Sequence, residues 1–205
     1  MSSPSPRTVA FLLFPNVTQL DLTGPAQILS RLPNTKIELV AKDRSPVPTD
    51  SGFPLHPTAI FDDVKSAEIL CVPGGFGVIE AMQDAATRDW VRAIGADAAW
   101  VTSVCTGALV LGAAGLLKGY RATTHWASHD QLGFFGAIPV HERVVIDQNR
   151  VTGGGVTSGI DFGLVLVREL ESEAVAKFIQ LSVEYDPAPP FDCGTPEKAP
   201  ADVLA

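Results

Sequence analysis

Near-continuous apolar runs of strand length alternate along this chain with stretches patterned for helices, and that alternation limits the folds open to it. Thr8–Phe14 and Lys36–Ala41 are two such runs, Ile69–Pro73 is a third, and Trp100–Val104 a fourth. Strands apolar at nearly every position, not every second one, are buried on both faces, as in parallel sheets covered by helices. Helical patterns over Asp21–Leu32, Val78–Met82, Thr87–Ala98, Ser158–Leu170 and Ser172–Tyr185 supply the covering layers. A short strand at Arg121–Thr124 and a paired segment, Val144–Asp147 with Arg150–Thr152, complete the expected elements. The prediction is an α/β fold of one domain over 8–185, a flavodoxin-like parallel sheet with helices on both faces. Residues 1–7 are expected to be extended or disordered, and 186–205 to form a Pro-rich tail.

Such a sheet gathers ligand sites at the carboxyl ends of its strands. That rule brings Pro15–Asp21, Gly74–Gly77, Cys105–Thr106 and Gly153–Ser158 to one edge. Cys105 is the most telling of these residues. It joins the run Trp100–Val104 directly to the small, apolar, helically spaced Thr106–Ala114. A strand that turns at once into a helix forces its hinge residue into a sparsely populated backbone conformation. The side chain is thereby lifted clear of the sheet, as in a nucleophile elbow. The helix dipole is expected to acidify a thiol placed there. A buried structural cysteine is the commoner fate of an unpaired thiol, so the local pattern alone does not decide.

Gly74-Gly75 follows the third strand and can aim backbone N–H groups at a ligand, with the N–H of Thr106 completing an oxyanion hole. Asp21, after the first strand, is either an early-helix acid or a carboxyl within reach of the thiol. Of four histidines only His125 ends an expected strand, and its spacing does not place it beside Cys105. The absence of a firm imidazole partner argues against ordinary peptidase chemistry.

Composition narrows the remaining classes. Of 205 residues 46% are apolar and 19% charged, as in globular chains, and the net charge is −8 with 15 Lys and Arg. That balance disfavours nucleic acid and anionic membranes as partners. No apolar run is long enough to span a bilayer. The start Met1–Arg7 lacks a secretory pattern, and three cysteines without metal-like spacing suit reduced thiols, so a cytoplasmic location is expected.

Four segments together resemble the ThiJ/PfpI superfamily, which has the class I glutamine-amidotransferase-like fold. They are Val72–Gly75, Ser103–Gly107, Ala122–Trp126 and Gly155–Asp161, and the likeness runs from Thr8 to Tyr185. Within the superfamily the chain is most similar to the isocyanide hydratase subgroup, which pairs an early acid, here Asp21, with an elbow Cys followed by Thr. Many members carry Glu at the early position, and the peptidase-like members carry His after the Cys. The stretches Thr123–Trp126 and Thr157–Asp161 also resemble the amidotransferase-like domain of AraC-type regulators, in which a helix-turn-helix region follows. Here a Pro-rich tail ends at Ala205, which counts against a regulator.

The resemblance implies hydration of a small-molecule isocyanide to an N-substituted formamide. Cys105 would be the nucleophile, Asp21 the general acid and base, and Thr106 a donor. Gly74, Gly75 and Thr106 would hold developing charge, and Phe76 and Val156 would wall an apolar pocket. No metal or organic cofactor is implied, and the likeness suggests a homodimer. A glyoxalase- or deglycase-like enzyme acting on small aldehydes and a non-enzymatic cysteine redox sensor are the alternatives, with a regulatory binding module behind them.

Overall fold

The computed structural model describes residues 6–204; the stretch 1–5 of the expected N-terminal extension lies outside the described residues. Seven strands form one sheet. They are β1 (Arg7–Leu12), β2 (Thr35–Ala41), β5 (Ala59–Ile60), β6 (Ile69–Val72), β7 (Trp100–Val104), β10 (Val144–Asp147) and β11 (Arg150–Gly153). Their order across the sheet is β10-β11-β7-β6-β1-β2-β5, and every pairing is parallel except the β10–β11 hairpin. The central strands are buried along their length: β6 at all four positions, β7 at four of five. This is the burial that continuous Val, Ile and Leu runs require.

Helices α1 (Gln19–Leu29), α5 (Ser158–Leu170) and α6 (Glu173–Ser182) pack as one layer. Helices α2 (Val78–Gln83), α3 (Ala85–Asp97) and α4 (Gly107–Ala113) pack as another. Glycines set how closely α1 and α5 approach. A Cβ on Gly159 would stand 3.0 Å from Pro25 Cδ, and one on Gly163 would stand 3.0 Å from Ile28 Cβ. The small hairpin β3 (Val47–Pro48) and β4 (Pro54–Leu55) flanks the sheet and turns at Asp50–Gly52. Strands β8 (Arg121–Ala122) and β9 (Ile138–Pro139) pair beside it, separated by a 3₁₀ helix over Trp126–Phe135, and a last short helix, α7 (Ala201–Leu204), lies in the Pro-rich tail.

Three elements depart from the sequence reading. The first helix spans Gln19–Leu29, where Asp21–Leu32 was expected, and Pro25 lies inside it. The earlier start follows from the Asp21 N–H donating to Thr18 O at 3.0 Å, which closes a helical turn ahead of the acid. The strand expected at Arg121–Thr124 pairs only over Arg121–Ala122, because the N–H of Thr123 goes to the Thr152 hydroxyl instead of a strand partner. The 3₁₀ helix had no apolar periodicity to announce it.

The chain leaves β1 toward β2 on one side, then crosses to β6 on the other. The carboxyl ends of β1 and β6 therefore flank a topological switch point, where crevices form in open α/β sheets. Val17 from the loop after β1 bridges Gly75 from the loop after β6 directly across that point.

Candidate active site

Cys105 follows β7 and precedes α4 with φ +56°, the left-handed region that a side chain ordinarily avoids. Two hydrogen bonds and the start of the next helix hold it there. Its N–H donates to Gly153 O at 3.0 Å, its carbonyl accepts from the Thr124 hydroxyl at 2.8 Å, and α4 begins two residues later. Such strain costs on the order of 1–3 kcal/mol and persists where surrounding structure over-determines it. The residue is only 6% exposed.

Asp21 sits in the first turn of α1 and is fully buried. Its Oδ2 accepts from the Gly74 N–H at 2.9 Å, while Oδ1 is buried without a hydrogen-bond partner of regular geometry. The carboxyl and the Cys105 thiol lie near enough that each alters the proton affinity of the other. Burial, opposed by the Gly74 N–H and the thiol and reinforced by the charge of Asp50, pushes the carboxyl up to about 7. Burial first, and the negative charge of Asp21 second, push the thiol up to about 12, against the pull of the Thr106 N–H and hydroxyl.

The thiol is therefore not acidified as the helix dipole alone would have it. Helix α4 has only seven residues, and a nearly buried sulfur facing a carboxylate loses more than a helix terminus returns. Across neutral pH the two groups share protons: one leaves near pH 7 and the other stays with the pair. A shared proton between two acidic sites suits a step in which one site attacks and the other delivers hydrogen.

Gly74 has to be glycine for this contact. A Cβ there would stand 2.6 Å from Thr106 N, 2.6 Å from Thr106 Oγ1 and 2.9 Å from Asp21 Oδ2. Gly75 has φ +135°, and its N–H donates to Thr106 Oγ1 at 3.1 Å. Because that hydroxyl also acts on the Cys105 sulfur, Gly75 reaches the sulfur through Thr106. The structure thus brings together Asp21, Gly74, Gly75, Cys105 and Thr106.

The remaining expected residues fall elsewhere. Phe76 is 86% exposed and walls nothing within the single chain, since the positive φ of Gly75 turns the next side chain outward. Val156 is half-buried and packs against the core. His125 caps the 3₁₀ helix, its Nδ1 accepting from the Ala127 N–H at 3.3 Å, and its ring lies 5.5 Å from that of Trp126; burial pushes its pKa down. It makes no hydrogen bond to Cys105. Thr124, inside the Thr-Thr-His-Trp stretch, and Thr18 and Asp50, outside every motif, are the polar residues that the sequence reading missed.

A cavity of about 470 Å³ is lined by Leu13, Phe14, Val47, Phe61 and Ala81 with Lys42 and Asp84 among its polar residues. It touches the loops at Asn16 and Gly77 but does not include Cys105 or Asp21. The paired acids, and not this cavity, mark the elbow as the candidate site. Among the described residues no group of three or more His, Cys, Asp or Glu side chains is placed to hold a metal ion.

The model of the DJ-1/PfpI family matches residues 7–169. The chain belongs to the DJ-1/PfpI family. Its relatives include an isonitrile hydratase of Pseudomonas putida, 55% identical over 196 residues that make up 96% of this chain and 86% of the relative. A THiJ/PfpI family protein from Pseudomonas syringae superimposes with a TM-score of 0.95 at 47% identity, covering 97% of this chain and 83% of that one. The transcriptional regulator CdhR of Pseudomonas aeruginosa is 27% identical over 85% of this chain, which corresponds to 53% of the regulator. The DJ-1/PfpI fold accounts for the parallel sheet with helices around it. No helix among the described residues is long and apolar enough to cross a membrane.

Proposed function

We propose that this protein is an isocyanide hydratase, converting R–N≡C and water to the formamide R–NH–CHO. The observation that carries the reading is the buried Asp21 carboxyl coupled to the elbow thiol of Cys105, in a chain 55% identical to an isonitrile (that is, isocyanide) hydratase.

The reactive form of the pair holds one proton, which rests on the Cys105 thiol beside the Asp21 carboxylate; its transfer to Asp21 gives the attacking thiolate and the acid. Sγ of Cys105 bonds to the terminal carbon of the isocyanide, and the proton of Asp21 passes to that carbon. The product is a thioimidate, R–N=CH–S–Cys105. The carboxylate left behind takes a proton from water as the water oxygen bonds to the same carbon, and that proton moves on to nitrogen. The adduct R–NH–CH(OH)–S then collapses: the hydroxyl proton returns to Asp21, the C–S bond breaks, and the formamide leaves with the pair restored. The Thr106 N–H and hydroxyl stabilise charge on sulfur at the first and last steps. The Gly75 N–H polarises that hydroxyl, and the Gly74 N–H fixes the carboxyl.

We assign the organism's cytoplasm as the site of action and a homodimer as the working form. The exposed Phe178 and Leu181 on α6 and Phe191 in the tail offer apolar surface for a second copy. Formamide release from an aryl isocyanide, followed for the wild type and for Cys105→Ala, tests the function. Turnover only by the wild type supports it. Equal rates from the two, or none from either, would remove the reading, and turnover of methylglyoxal but not of isocyanides would favour the aldehyde reading.

A further inference from the structure

We propose that Asp50, at the turn between β3 and β4, is a positioning residue that holds a negative charge beside the start of α1 and so sets the pH at which the Cys105–Asp21 pair becomes reactive. The inference rests on the assignment of Asp21 as the acid of the reaction.

Thr18 occupies the position before α1 where a threonine hydroxyl ordinarily accepts a helix N–H, yet it makes no such cap. Its hydroxyl instead donates to Asp50 Oδ2 at 2.5 Å. The N–H of Asp50 donates to Val17 O at 3.1 Å, Thr49 bridges Val17, and the Ser51 hydroxyl donates to Asp50 Oδ1 at 3.1 Å. Both carboxylate oxygens and the backbone of Asp50 are thus tied down. Thr18 continues the connection inward: its N–H donates to Gly74 O at 3.0 Å, and its carbonyl accepts from the Asp21 N–H at 3.0 Å. Giving up a side-chain cap weakens the start of the helix. The same hydroxyl buys a fixed place for a carboxylate next to the catalytic acid.

Asp50 is exposed, and among the described residues no Lys, Arg or His forms an ion pair with it. Its charge is therefore felt by neighbours. The other groups facing Asp21 are the Cys105 thiol from the elbow, the Cys71 thiol from β6 and the Gly74 N–H, which donates to its Oδ2. Asp161 of α5 is engaged by Arg143 and by the Tyr185 hydroxyl. After burial, Asp50 is the remaining influence that raises the proton affinity of Asp21. Because Asp50 lies at the surface, salt with a screening length near 10 Å at 0.1 M should weaken its action.

The test uses the full chain carrying Cys193→Ser, which removes the half-buried thiol while Cys71 stays inaccessible. The pH profiles of kcat/KM for formamide production and of Cys105 alkylation by iodoacetamide are measured at low and high salt. In Asp50→Asn the ascending limb of both profiles moves to lower pH, raising kcat/KM at pH 6 about threefold, as expected for one partly screened charge. High salt moves the wild-type limb the same way and leaves that of Asp50→Asn in place, while Asp50→Glu restores the wild-type limb. A limb unmoved by Asp50→Asn, whatever happens to the rate, overturns the inference. An Asp21→Asn variant that keeps the wild-type limb and rate would instead overturn the assignment of Asp21.

Discussion

The backbone N–H of Gly74 donates to Oδ2 of Asp21 at 2.9 Å, from a position where a single added carbon would stand at that same distance from the same oxygen. The contact joins the loop after β6 to the first turn of α1 and leaves no freedom in either. Gly74→Ala should therefore displace the carboxyl and Thr106 together. Overpacking of this kind costs about 1–3 kcal/mol of stability, and kcat for isocyanide hydration should fall at least tenfold. Thermal unfolding and steady-state kinetics on the one variant check both.

Ionising Asp21 in its buried place opposes folding. Its folded proton affinity is raised from 3.8 to about 7, so the stability it contributes is fully present below its unfolded value and is lost as pH rises through about 7. The full linkage is on the order of 4 kcal/mol. Asp21→Asn should unfold at a higher temperature than the wild type at pH 8.5, with the difference shrinking toward pH 5, while turnover is nearly abolished. A stability difference independent of pH would mean that the carboxyl does not titrate within that interval.

Thr106 has two jobs that one substitution separates. Thr106→Val leaves the part-buried Gly75 N–H without its acceptor, which costs about 1 kcal/mol. It also removes the hydroxyl acting on sulfur, and kcat/KM should drop about 10–100-fold. Thr106→Ser keeps both bonds and should retain most of the activity. Denaturant midpoints and kinetics of the two variants decide the point.

The backbone strain at Cys105 can be read independently of chemistry. Cys105→Gly relieves the φ +56° conformation, whereas Cys105→Ala keeps it. Both variants should be inactive, but the glycine form should be the more stable by about 1 kcal/mol, as measured by urea unfolding.

How far the residues alone carried this picture depended on range. The strands were legible because β1, β6 and β7 are buried over most of their length and are predominantly apolar, while β2 turns apolar and buried toward its carboxyl end. The elbow was legible because one cysteine separates a strand pattern from a helix pattern. The ionisation of Cys105 was not, since it depends on a carboxyl 84 positions earlier in the chain and on burial that no local spacing encodes. Phe76 was expected as a pocket wall because the substrate's organic group is apolar, and in the single chain it lies exposed. Thr18 and Asp50 meet only because two loops cross beside the switch point, a relation with no sequence signature.

The central claim is that carbon bonds to the sulfur of Cys105 before water arrives. Rapid acid quench of enzyme mixed with excess aryl isocyanide, followed by mass spectrometry of the intact chain and its peptides, tests it most directly. The account predicts a transient gain equal to one isocyanide, mapped to Cys105, formed and lost at rates consistent with turnover and not detected in Cys105→Ala. Formamide appearing at the full rate with no adduct on Cys105, or an adduct too slow to lie on the path, would contradict it.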